Sequence, residues 1–81
     1  MKVTITAHAA AITEDPELHT FYFRVDDGVG SFRVERITVR TARVLARELA
    51  NRTGLDAMVR PIVDAHPDKY DELVGVCYAD T

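Results

Sequence analysis

Apolar and polar residues alternate along two stretches in the first third of the chain, residues 2–12 and 19–26. Alternation with a period of two is typical of a strand that buries one face and exposes the other. Polar residues and a proline separate the two stretches at 13–17, and a glycine-containing turn follows at 27–30. Residues 31–39 are also predicted to be a strand, so the pattern indicates an antiparallel meander of three strands.

The register of the first hairpin can be chosen so that each large residue faces a small or branched one. With the turn at residues 13–17, Ala7 faces Phe23, and both lie on the apolar face of the meander. The same register places His8 opposite Tyr22 on the polar face. A slip of one residue would move the phenylalanines to the polar face, so this register is predicted.

In the second hairpin, the same rule pairs Val25 with Phe32 on the apolar face. It also brings Arg24 beside Arg33, and two like charges that face each other across a strand pair repel. The later apolar residues of the third strand, Ile37 and Val39, are odd-numbered, whereas Phe32 and Val34 are even-numbered, so the two pairs would lie on opposite faces. A bulge at Glu35–Arg36 is therefore predicted, because one extra residue returns them to the apolar face. The alternative is that the strand stops there and a new strand begins.

A helix is predicted to follow the third strand and to cover the apolar face of the meander. Thr41 is a suitable N-cap residue, and Gly54 is a suitable stop at the carboxyl end. The apolar stripe of this helix consists of Ala42, Leu45, Ala46, Leu49 and Ala50. The polar face of the sheet then stays open, as is common in antiparallel α+β domains.

The last third of the chain is less regular. Residues 57–63 fit helical spacing, but Pro61 disfavours a helix interior, so an edge strand is predicted there. Pro67 is suited to a helix start, which predicts a short helix at 68–74 and a closing strand at 75–79. The fold class is therefore α+β: an antiparallel meander, one amphipathic helix packed on one sheet face, then strand, short helix and strand, in two layers.

The composition limits the class of protein. A chain of 81 residues is long enough for one modest core, so residues 1–81 are assigned to a single domain. The sequence has no run of about 18 apolar residues, and its start does not resemble a signal peptide, so no membrane span and a cytoplasmic location are predicted. The single cysteine excludes an internal disulfide bond.

The charges are distributed unevenly. Seven of the ten basic residues, all arginines, lie between Arg33 and Arg60. An arginine stripe is predicted along the helix, formed by Arg36, Arg40, Arg43 and Arg47. The first acidic group consists of Glu14, Asp15 and Glu17, and the second of Asp64, Asp68, Asp71 and Glu72. Because the net charge is −3, nucleic acid is an unfavourable partner, whereas the acidic groups favour a basic protein.

No catalytic or metal-binding motif is found in the sequence. Residues 64–68 carry ligand-type side chains, but a zinc site needs three or four convergent ligands, and only one histidine is local. Cys77 lies in an apolar run and is predicted to be buried as a small hydrophobe. A non-enzymatic protein without a cofactor or metal is therefore predicted.

The open sheet face offers another candidate surface, with Tyr22, Arg24 and Arg33. Tyrosine and arginine are frequent at the centres of protein interfaces. Two alternatives remain. His8 with Tyr22 and Arg24 could form a small ligand-binding site or an active site, and the arginine stripe could serve a nucleic-acid-binding module or repressor.

In size and charge, the whole chain resembles the anti-CRISPR proteins, small phage-borne inhibitors of bacterial defence systems. The resemblance implies an inhibitor in the bacterial cytoplasm that docks on a nucleic-acid-handling effector complex and blocks its target recognition. Such effectors have basic channels that acidic groups complement. The net charge of −3 is small for a nucleic-acid mimic, which disfavours simple mimicry. A monomer or homodimer is expected, with partner-binding residues Glu14, Asp15, Glu17, Tyr22, Arg24, Arg33, Asp64, Asp68 and Asp71.

Overall fold

The computed structural model describes residues 2–48 and 54–79 of the chain. Its strands are β1 (Lys2–Ala9), β2 (Thr20–Asp26), β3 (Phe32–Thr38) and β4 (Cys77–Ala79). Its α-helices are α1 (Val39–Glu48) and α2 (Gly54–Asp64), and two 3₁₀ helices lie at Pro16–Leu18 and Pro67–Leu73. The predicted α+β class is confirmed.

The strands form one antiparallel sheet in the order β3-β2-β1-β4. The covered face of this sheet packs against α1, α2 and the second 3₁₀ helix, and the other face is called the open face. The predicted burial of Phe21 and Phe23 on the covered face is confirmed. The core consists of Val3, Ile5, Phe21, Phe23, Val25, Ile37, Val39, Ala42, Met58, Val59, Ile62 and Tyr70.

The ladder between β2 and β3 differs from the predicted register by one residue. The pairs run without a shift along the whole of β3, so the bulge predicted at Glu35–Arg36 is wrong. Ile37 and Val39 are both buried where β3 passes directly into α1. Because side chains alternate along a straight strand, Phe32 and Val34 then lie on the open face.

The ladder between β1 and β2 contains a bulge, where Thr6 and Ala7 together oppose Tyr22. The hydroxyl of Thr6 donates to the backbone carbonyl of Tyr22 at 3.2 Å. The extra residue reverses the two faces beyond this point, so His8 faces Phe21 on the covered face. The predicted strand partners of Ala7 and His8 are therefore both wrong.

Residues 57–63 belong to α2, so the edge strand predicted there is wrong. A proline in a helix interior costs about 3 kcal/mol. However, α2 buries Met58, Val59 and Ile62 almost completely. Burial of each such side chain stabilises a fold by about 1.5–3 kcal/mol, so the three together outweigh the penalty of Pro61.

The predicted start of the first helix is corrected. α1 begins at Val39, and the hydroxyl of Thr38 accepts the N–H of Thr41 at 3.2 Å, so Thr38 caps the helix instead of Thr41. Gly54, which was predicted to stop this helix, lies in α2, and residues 49–53 before it lie outside the described residues. Residues 49–50 of the predicted apolar stripe lie outside the described residues.

The short helix and the strand predicted after residue 67 are both found. Pro67 occupies the first turn of the second 3₁₀ helix, where its missing N–H costs nothing. The strand predicted at 75–79 is shorter than expected and forms β4, which pairs with β1 at the edge of the sheet.

Candidate functional site

The open face of β2 and β3 carries apolar, aromatic and cationic side chains that form the open-face patch. These are Tyr22, Arg24, Phe32, Val34 and Arg36. Phe32 is 58% exposed and Val34 is 60% exposed. The predicted register had placed these two residues in the core. The sequence signal for their exposure is the spacing from Ile37 and Val39, which are buried at the end of β3 and the start of α1. In a straight strand, residues at odd distances from Ile37 lie on the opposite face.

Arg24 is held in place within the open-face patch. The carbon Cζ of its guanidinium lies 3.9 Å from the centroid of the Phe32 ring, which is a cation–π contact. Its Nε and Nη2 atoms also lie 3.1 and 3.0 Å from the carboxylate Oδ1 of Asp26. An arginine that is ordered in advance loses less side-chain entropy when it binds a partner.

Arg33 points to the other side of β3 from Arg24, so the predicted repulsion between these two side chains is wrong. Arg33 is paired with Val25 in the ladder, and its Nε lies 3.5 Å from the carboxylate of Glu35. The one-residue change of register is the cause, because it exchanges the faces of neighbouring residues. Arg36, which was predicted to belong to the arginine stripe, lies in β3 and joins the open-face patch.

The arginine stripe on α1 lies against the first acidic group. A carboxylate oxygen of Glu17 lies 3.1 Å from Nε of Arg43, and the other lies 3.7 Å from Nε of Arg40. Asp15 also lies 3.7 Å from Arg40. Exposed pairs of this kind stabilise a fold by only about 0–1 kcal/mol each. They matter more for recognition, since each group neutralises part of the charge that the other presents to a partner.

In the second acidic group, Asp68, Asp71 and Glu72 are more exposed than Asp15 and Glu17 of the first. The side chains of Asp68 and Asp71 are 84% and 88% exposed. Asp68 lies 3.4 Å from Nδ1 of His66, and Glu72 lies 3.7 Å from the ammonium of Lys69. This group therefore presents an acidic surface on and beside the second 3₁₀ helix.

The bulge in β1 creates a histidine cluster on the covered face that sequence reasoning missed. Nδ1 of His8 donates to the carboxylate of Asp71 at 2.7 Å, and its Nε2 lies 2.7 Å from Nδ1 of His19. The two imidazoles stack with centroids 5.0 Å apart, and the rings of Phe21 and Tyr70 pack around them. The cluster joins segments that are distant in sequence, so no motif spacing could have shown it.

The hydrogen bond between the two imidazoles requires that one ring donates and the other accepts. The contacts of His8 with Asp71 and with His19 therefore form one continuous series of hydrogen bonds. General acid–base catalysis also needs a reacting group within hydrogen-bond reach. Cys77 is not such a group, because it lies on the open face with its Sγ 3.2 Å from the hydroxyl of Thr4. It is exposed, so its predicted burial is wrong.

Metal binding by the histidine cluster also lacks support in the geometry. Within the described ranges, no three or more histidine, cysteine, aspartate or glutamate side chains converge as a metal site requires. The role that the contacts support is structural. His8 links the bulge in β1 to the start of β2 through His19 and to the second 3₁₀ helix through Asp71.

Two tyrosines are affected by their surroundings. Burial raises the pKa of the Tyr70 phenol above its ordinary value of 10.0, with a smaller lowering by Arg43 and a smaller raising by Glu17. Burial also raises the pKa of Tyr78. Both phenols are therefore neutral at neutral pH.

The predicted partner-binding residues do not form one continuous site. Tyr22 and Arg24 belong to the open-face patch, whereas Arg33 points to the other side of β3. The first acidic group is paired with α1, and the second lies on and beside the second 3₁₀ helix. The structure thus places them on separate surfaces of the molecule.

Comparisons of the chain with protein-family models, with curated proteins and with solved structures find no match. In the part of the chain that the structure describes, no helix is both long enough and apolar enough to cross a membrane.

Proposed function

We propose that this chain is a non-enzymatic protein-binding module that contacts its partner through the open-face patch. The observation that supports this is the exposure of Phe32 and Val34 beside Arg24, which is already ordered. Aromatic residues and arginine contribute most of the energy at many protein interfaces. The patch lies on two hydrogen-bonded strands, so little backbone has to become ordered on binding.

The finer proposal concerns the partner. We infer a nucleic-acid-handling effector complex of the CRISPR type, in the cytoplasm of a bacterial host, whose target recognition is blocked by the bound chain. The second acidic group supports this, because exposed carboxylates complement the basic channels of such complexes. In this proposal the open-face patch supplies affinity, and the second acidic group speeds association. The first acidic group contributes less, because Arg40 and Arg43 offset its charge.

Binding to purified effector complexes, measured by biolayer interferometry, tests the role of the open-face patch. Phe32→Ala is expected to weaken binding by about 30-fold, as removal of an interface anchor does. Val34→Ser is expected to weaken it less. Val44→Ser is the matched control, since Val44 is also exposed but lies on α1. If an effector binds the wild-type chain and Phe32→Ala equally well, the open-face patch is not the binding surface.

The inhibitor role needs a separate measurement. Asp68→Lys with Glu72→Lys is expected to slow association with the effector by about tenfold or more at low salt, with little change in melting temperature. Target-DNA binding by the effector should fall as the chain is added. If the effector binds the chain and its target together, the inhibitor role is wrong, although the binding module stands. Salt-sensitive duplex binding by the chain alone, lost in Arg40→Glu, would favour the nucleic-acid-binding alternative.

A further inference from the structure

The outer edge of β3 carries backbone groups that point away from the sheet. In the described part of the chain, no strand pairs with this edge. The N–H of Asp27 donates to the carbonyl of Ser31 at 3.1 Å, at one end of the β2–β3 ladder. The N–H of Val39 donates to the carbonyl of His19 at 3.0 Å, at the other end.

These two bonds identify which residues of β3 face β2 with their backbone groups. Bonded and non-bonded pairs alternate in an antiparallel ladder. Counting from either bond gives the same alternation, in which Arg33 and Glu35 direct their N–H and C=O groups to β2. The groups that point outward are those of Phe32, Val34 and Arg36.

The sequence of β3 is self-complementary in one antiparallel register. With Val34 on a two-fold axis, Arg33 faces Glu35 of the second copy, and the axis repeats this pair. On the open face, Phe32 faces Arg36 of the second copy, which permits a cation–π contact. Moving the axis by one residue places two Glu35 side chains, or two Arg33 side chains, opposite each other, and like charges facing each other destabilise the pair.

We propose that β3 pairs with β3 of a second copy of this chain, about a two-fold axis at Val34. Two four-stranded sheets then form one continuous sheet. Charged residues on an edge strand usually discourage such pairing. Here the charges match across the axis, and the outward N–H groups of Phe32, Val34 and Arg36 all meet carbonyl acceptors.

This pairing does not depend on the function proposed above. A two-fold axis perpendicular to the sheet keeps the faces of the two copies on the same side. The dimer therefore presents two open-face patches side by side. A partner with two equivalent binding surfaces would then be bound with higher avidity.

Sedimentation equilibrium of the full chain from about 1 µM to about 1 mM tests the dimer, since small interfaces dissociate in this range. Arg33→Glu and Glu35→Arg are each expected to weaken dimerisation by about tenfold or more, because the axis doubles every repulsive pair. The double exchange should dimerise within about threefold of wild type, since attraction is restored. Arg60→Glu on α2 is the matched charge-reversal control and should have no effect.

Hydrogen exchange of individual amides, measured by NMR, tests the register. The N–H groups of Phe32, Val34 and Arg36 should become protected as the concentration rises, whereas those of Arg33 and Glu35 should be protected by β2 at every concentration. A chain that stays monomeric up to about 1 mM overturns the proposal. So does a dimer whose three outward amides stay unprotected, or one that the double exchange fails to restore.

Discussion

The two ladders on either side of β2 differ from their predicted registers in opposite ways, because one contains a bulge that was not predicted and the other lacks the bulge that was. The β1–β2 ladder contains a bulge and brings His8 to the covered face, whereas the β2–β3 ladder is straight and leaves Phe32 and Val34 on the open face. In both ladders, the backbone register decides where a side chain points, and the polarity of the side chain does not.

The two outcomes differ in how they are stabilised. A buried polar group is tolerated only when its hydrogen bonds are made, and His8 meets this condition through His19 and Asp71. The exposed Phe32 is covered in part by the guanidinium of Arg24. On the covered face, stability requires that the hydrogen bonds of His8 are made. The open face keeps an apolar surface that a partner can use.

Truncation of the two phenylalanines gives the largest expected contrast. Phe21→Ala removes a fully buried ring and should lower the free energy of unfolding by about 3–5 kcal/mol. Phe32→Ala should lower it by about 1 kcal/mol or less, because it loses only a surface contact. Urea unfolding followed by circular dichroism measures both, and Phe21→Leu preserves the comparison if Phe21→Ala does not fold. Equal losses at the two positions would contradict the β2–β3 register.

Removal of the buried imidazole tests the other ladder. His8→Ala should lower the free energy of unfolding by about 1–3 kcal/mol, since it leaves His19 without its bonding partner and opens a cavity beside Phe21. His66→Ala is the matched control and should lose about 1 kcal/mol at most, because this exposed histidine only caps the second 3₁₀ helix. A His8→Ala variant as stable as the control would show that His8 is not on the covered face.

A double-mutant cycle between Arg24 and Phe32 sharpens the description of the open face. Their coupling free energy should be about 0.5–1 kcal/mol, as for other exposed cation–π pairs. The cycle between Arg33 and Phe32 is the control, and its coupling should be near zero although these residues are adjacent in sequence. Coupling in the control and none in the first pair would mean that the faces of β3 are exchanged.

The smallest effect appears only at alkaline pH. Because burial raises the pKa of Tyr70, the unfolded chain loses this phenolic proton first, near pH 10. The contribution of this group to stability should therefore be constant around neutral pH and should be lost as the pH rises above about 10. Unfolding of wild type and Tyr70→Phe across this range measures the contribution. A decline as steep in Tyr70→Phe as in wild type would assign the loss to other groups, of which Tyr78 is one.

Features with a local cause could be predicted from the sequence. Alternation predicted β1 and β2, the turn at 27–30 preceded a predicted third strand that forms β3, and Pro67 predicted the start of the second 3₁₀ helix. α2 was not predicted, because the local signal of Pro61 opposes a helix and the burial that outweighs it depends on the rest of the fold. The residues of both acidic groups are evident from the sequence, but their exposure and pairing are not.

By itself, the sequence determined the three strands of the meander and the shared buried face of Phe21 and Phe23, because strand periodicity depends only on neighbouring residues. The tertiary structure alone decided the two registers, because the Thr6 bulge and the straight entry of β3 into α1 depend on contacts between separate segments. The same contacts placed His8 inside and Phe32 outside. They also set the arginine stripe against the first acidic group, which changes the charge that this surface presents.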